Sequence, residues 1–105
     1  MRVVALVPDL MDRSRLTAAI EDLSFARDVD GCAAADVVIV DLARYAATVG
    51  ELRRTLPSAR IVTFGPHVDE AAATEARSAG ADLVWPRSRF FRDPAAALEP
   101  RDEHH

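Results

Sequence analysis

A short stretch without alternation, Ala35-Asp36-Val37-Val38-Ile39-Val40-Asp41-Leu42, constrains this chain more than any other. Four β-branched apolar residues in a row leave no polar face to turn toward water, which is the pattern of a strand covered on both sides. Strands of that kind belong to parallel sheets flanked by helices. The run ends on a carboxylate, and in open parallel sheets function gathers beyond the carboxyl ends of the strands, where the winding reverses. Asp41 is therefore the first candidate functional residue.

The rest of the chain supplies the helices and strands that such a sheet needs. Val3-Val4-Ala5-Leu6-Val7 is a second continuous apolar strand, closed by Pro8 and followed at once by Asp9. From Asp12 the period changes: Leu16, Ala19, Ile20 and Leu23 make one helical stripe, with Asp12 read as its N-cap. Ser24 to Val29 reads as a weak strand before the Asp30-Gly31 turn, and residues 28–35 have room for no more than a turn or two of helix before the central strand. Thr48 and Glu51 fit a capping box for a helix that buries Val49, Leu52 and Leu56 and stops at Pro57.

Ile61-Val62-Thr63-Phe64 is the next strand, closed by Gly65-Pro66. A helix opening on Asp69 and Glu70 then runs to Gly80, its left-handed C-cap. Asp82 to Trp85 is a last short strand, and Asp93-Pro94 starts a final helix of about two turns. Five strands alternating with helices predict a three-layer α/β domain with a parallel sheet. It spans residues 1–100, and 101–105 are expected to be a disordered tail.

Composition excludes several classes of function. At 105 residues, half of them hydrophobic, the chain is long enough for one small core. A net charge of -4 argues against a nucleic-acid partner bound through phosphate neutralisation. No apolar run approaches the roughly 20 residues of a membrane span, and the expected location is the cytoplasm. The single cysteine, Cys32, reads as a small buried apolar residue. All 13 basic residues are arginine, so no mechanism here can use a lysine ammonium. The four glycines form no phosphate-cradling loop, and no Ser-His-Asp or Cys-His set suggests hydrolysis, so no enzyme activity is expected.

Taken together, the residues resemble the receiver domain of two-component response regulators, from Val3 to Phe91. The best single piece is Ala79-Gly80-Ala81-Asp82, a strand, and then Arg87. The resemblance implies a flavodoxin-like sheet of order 2-1-3-4-5, here with shortened second and last helices. It places Asp41 at the phospho-accepting aspartate, makes Asp9 and Asp41 the carboxylates that would hold magnesium, and sets Arg87 near a phosphoryl group; His67, after Gly65-Pro66 at the mouth of the same edge, reads as a phosphate or proton partner or as a loop histidine that starts a helix. The chain departs from the family in four places. Pro8 and Asp9 stand where receivers carry an acidic pair, Gly65 where they carry a hydroxyl, and Arg87 where they carry a lysine; the loop after Asp41 reads Leu-Ala-Arg-Tyr-Ala.

These departures are those of a pseudo-receiver, and two roles stay open for Arg87: a cation for the phosphoryl group, or a standing ion pair with Asp41 or Asp9. Arg89, Phe90, Phe91 and Arg92, with Arg87, form the one basic and aromatic cluster, read as a partner or homodimer interface or as core aromatics with solvated arginines. A signalling partner such as a histidine kinase or an output protein is what the resemblance implies. The alternative function is a small-ligand binder or enzyme with Asp9, Asp41, His67 and Arg87 in a polar pocket at the sheet edge.

Overall fold

The computed structural model describes residues 1–66 and 69–100. Five parallel strands lie in the order β2-β1-β3-β4-β5, the predicted flavodoxin-like winding. They are β1 (Val3–Leu6), β2 (Leu23–Phe25), β3 (Val37–Asp41), β4 (Arg60–Gly65) and β5 (Leu83–Pro86). The helices are α1 (Leu10–Ala19), α2 (Leu42–Tyr45), α3 (Val49–Thr55), α4 (Glu70–Ala79), α5 (Arg87–Phe90) and α6 (Pro94–Ala97). The apolar run Val37 to Val40 lies in the central strand, β3, hydrogen-bonded to β1 on one side and β4 on the other and buried at every position.

Strand alternation divides the core into two. Val4, Leu6, Val38, Val40 and Ile61 face α3 and α4, where Val49, Leu52, Ala73 and Ala76 cover them. Val3, Ala5, Val37, Ile39, Val62 and Phe64 face the opposite layer, with Leu16, Ile20, Phe90 and Leu98. Asp41 continues the row of Val37 and Ile39, so its carboxylate lies on the α1 side of the sheet.

Several local expectations are corrected. α1 starts at Leu10 with Asp9 as its N-cap, because Asp9 has extended backbone and its Oδ1 accepts the Asp12 N–H at 2.9 Å. Asp12 is thereby drawn into the first turn. The apolar stripe ends at Ile20, with Ala19 exposed and Leu23 already the first residue of β2. β2 has three residues, since the chain leaves the sheet after Phe25, and Val29 is buried beside a 3-10 turn over Asp30–Cys32 instead.

The capping box does not form: residues 42–48 are already helical, and Thr48 has helical backbone with no side-chain cap bond. The shortened second crossover is borne out by the 3-10 turn, and the shortened end of the chain by the two four-residue helices α5 and α6. Gly80 holds the predicted C-cap with φ +125°, its N–H bonding the Arg77 carbonyl while Ala81 N–H bonds Ala76 in a Schellman motif. Cys32 is fully buried, and burial beside Asp28 pushes its thiol up to about 11.

Candidate functional site

The carboxyl ends of β1 and β3, the first turn of α1 and the start of α5 enclose a shallow depression lined by Pro8, Asp9, Asp12, Asp41, Arg44 and Arg87. Each element delivers its side chain for a local reason. Pro8 stops β1, Asp9 caps α1, and Asp41 both ends β3 and caps α2 by accepting the Ala43 N–H at 3.0 Å through Oδ1. Arg87 follows Pro86 directly, at the point where β5 gives way to α5.

The dominant contact joins the two ends of the chain. Arg87 donates from both terminal nitrogens to Asp12, Nη1 to Oδ2 at 2.9 Å and Nη2 to Oδ1 at 2.7 Å, a bidentate ion pair. The Asp12 side chain is 4 % exposed and that of Arg87 35 %, so the anion is withdrawn from water and the cation covers it. Arg87 is also laid over aromatic rings, 5.5 Å from the Phe64 centroid and 5.0 Å from Phe91. Below it, Phe64 and Phe90 are stacked at 4.8 Å, with Phe91 edge-on to both.

The electrostatics follow from this geometry. Asp12, first by its hydrogen bonds, holds the Arg87 guanidinium above its already high range, and Asp41 and Asp9 add to the effect. Burial holds the Asp41 carboxyl above the usual carboxylate range, partly offset by the Ala43 N–H and by Arg87.

The sequence candidates are therefore sorted by position. Asp9, Asp41 and Arg87 do converge on one edge. Arg87 forms a standing pair, but its partner is Asp12, which the sequence reading placed as a mere helix cap. Its burial had a signal: Asp12 lies four residues before Leu16, on the same helical stripe. Phe90 is fully buried against Phe64 and belongs to the core, which removes it from the expected interface. Phe91 is half-buried, Arg92 is exposed, and Arg89 stacks 4.2 Å over the Trp85 ring. His67 lies outside the described residues, as do residues 101–105.

The donor set makes a poor ready-made divalent cation site. Asp9 and Asp41 each commit one oxygen to a backbone cap, and Asp12 commits both to Arg87. Among the described residues no group of three or more His, Cys, Asp or Glu side chains is placed to hold a metal ion. A cation at Asp9 and Asp41 would compete with Arg87 for the same field. Also among the described residues, no helix is long and apolar enough to cross a membrane.

No protein family matches the sequence, and no curated protein does. Solved structures do match. A response regulator protein from Burkholderia pseudomallei, determined with a phosphorylated aspartic acid, calcium ion and citrate, superposes with a TM-score of 0.75 at 18% identity over 92% of this chain, which spans 65% of that one. An orphan response regulator of H. pylori gives 0.75 at 12% identity, covering 94% of this chain and 97% of its own. One from Thermotoga maritima gives 0.74 at 13%, covering 92% and 96%. The fold of this chain is that of a response-regulator receiver domain.

Proposed function

We propose that this chain is a receiver-like signalling module of the pseudo-receiver kind, acting through contact with a protein partner, with Arg87 standing permanently where a receiver would gather a divalent cation and a phosphoryl group. One observation carries this reading: the bidentate Arg87–Asp12 ion pair. The pair supplies positive charge to the Asp9, Asp41 and Asp12 cluster from within the chain and offsets part of its negative charge as folded. It also ties the first turn of α1 to the start of α5. The signalling partner, a histidine kinase or an output protein, would then read a fixed surface.

A second reading is favoured by Asp41 alone. It ends the central strand, is 5 % exposed, and has one carboxylate oxygen without a hydrogen-bond partner among the described residues. In that reading Asp41 accepts a phosphoryl group, with magnesium held by Asp9 and Asp41 once Arg87 has left Asp12.

An amide NMR titration with magnesium, then with beryllofluoride as a phosphoryl mimic, separates the two. The pseudo-receiver reading expects no saturable shifts at Asp9, Asp41, Gly65 or Arg87 at about millimolar magnesium. Saturable shifts there, absent in Asp41→Asn, would overturn it in favour of phosphorylation.

A further inference from the structure

The described surface carries two apolar features that no part of the site uses, on opposite layers of the molecule. The first is a knob. Leu10 and Met11, in the first turn of α1, are 77% and 69% exposed; Met1, at the other edge of the sheet, is the one other large hydrophobic residue so exposed among the described residues. One turn along the same face of α1 as Met11 stands Arg15, exposed and in no ion pair among the described residues.

The second is a groove between α2 and α4, walled by Leu42, Ala43, Ala46, Ala72, Ala76 and Pro66, with Glu75 on its α4 side. Its volume is about 270 Å³. That is below the roughly 300–1,000 Å³ of sites that take a small molecule, and it suits one or two inserted side chains. The alanines leave the wall open because nothing projects from them. Glu75, exposed, is likewise in no ion pair among the described residues.

We infer that the groove receives Leu10 and Met11 of a second copy of this chain, with Arg15 of the entering helix meeting Glu75. The features match in polarity and in size, and Arg15 and Glu75 are of opposite charge. Knob and groove are different surfaces on different layers, so the contact is heterologous and leaves a free knob and a free groove on every pair. Association by this route does not stop at a dimer unless it closes into a ring.

Sedimentation velocity across a concentration series up to about 1 mM tests this, since a contact of this size is expected in the weak range. The wild-type chain is expected to show a weight-average mass rising past that of a dimer. The double variant Leu10→Ser, Met11→Ser and the single variant Ala72→Arg, all at exposed positions, should each stay monomeric. An equimolar mixture of the two should give a dimer and nothing larger, because one supplies the only groove and the other the only knob. A wild-type chain that remains monomeric, variants that associate as the wild type does, or a mixture that stays monomeric while each variant keeps its native amide spectrum would each overturn the inference.

Discussion

Both edges of the sheet are closed by an arginine paired with an aspartate far away in sequence, yet the two pairs are built differently. At the amino edge, the Arg53 guanidinium shares its N–H groups among five acceptors: the carbonyls of Leu56, Pro57, Ala59 and Gly80, and Asp82. Asp82 in turn accepts the Ile61 N–H at 2.8 Å, so the end of α3, the start of β4 and the end of α4 are fastened by one side chain. At the carboxyl edge, Arg87 has a single ionic partner among the described residues and also rests on aromatic faces. One cation is used up by the backbone; the other is held by one carboxylate beside two more. The first arrangement can only be structural, whereas the second can be exchanged.

Breaking the amino-edge clamp should have the largest effect. Arg53→Ala leaves several carbonyls at helix ends without their donor and is expected to cost about 3 kcal/mol in chemical denaturation, with Arg53→Lys recovering little because an ammonium cannot span the same acceptors. Gly80→Ala attacks the same clamp from the other side: φ is +125° and an added Cβ would lie 2.6 Å from the Arg53 Cβ. A loss for Arg53→Ala no larger than that of an ordinary surface arginine would erase the contrast between the edges.

At the carboxyl edge the effects should be smaller and unequal. Arg87→Ala strands a buried Asp12 and should cost roughly 2 kcal/mol, whereas Asp12→Ala frees a cation that already reaches water and should cost about 1 kcal/mol. The double variant should fall short of their sum by about 1 kcal/mol, the coupling of the pair. Equal single effects with no coupling would mean that the ion pair contributes nothing.

Smallest, and opposite in sign, is Asp41→Asn. Because burial raises the native carboxyl above its ordinary value, the folded chain holds this proton more tightly than the unfolded one. Wild-type stability therefore falls as pH rises between the ordinary and the raised pKa, and the cost is fully present above the latter. Asn cannot ionise, so the variant should be more stable at neutral pH by up to about 1 kcal/mol, with the gain vanishing in acid. Thermal melts at several pH values report this, and an unchanged midpoint at pH 7 would show that Arg87 already neutralises Asp41.

Much of the fold was legible because buried parallel strands advertise themselves. Val3 to Val7, Val37 to Val40 and Ile61 to Phe64 have no polar alternation, and the turns between them carry Pro, Gly or Asp at the expected places. Legibility failed where two rules competed at one residue. Asp9 and Asp12 can each cap a helix, and the choice is made by backbone conformation that sequence does not display; the losing cap became the buried half of the site. Phe90 ends a helix of four residues and Phe91 is its C-cap, a turn too short for a period to say which one faces the sheet. Thr48 matched a capping box in composition, but a preceding stretch that is already helical removes the extended backbone the motif requires.

The two outer strands have a consequence for the company this domain keeps. β2 spans three residues, too few to template a neighbouring chain, and β5 ends in Pro86, which has no N–H to offer. Such blunted margins offer little backbone for an added strand. A partner that docks on this sheet is therefore expected to read side chains more than the backbone ladder.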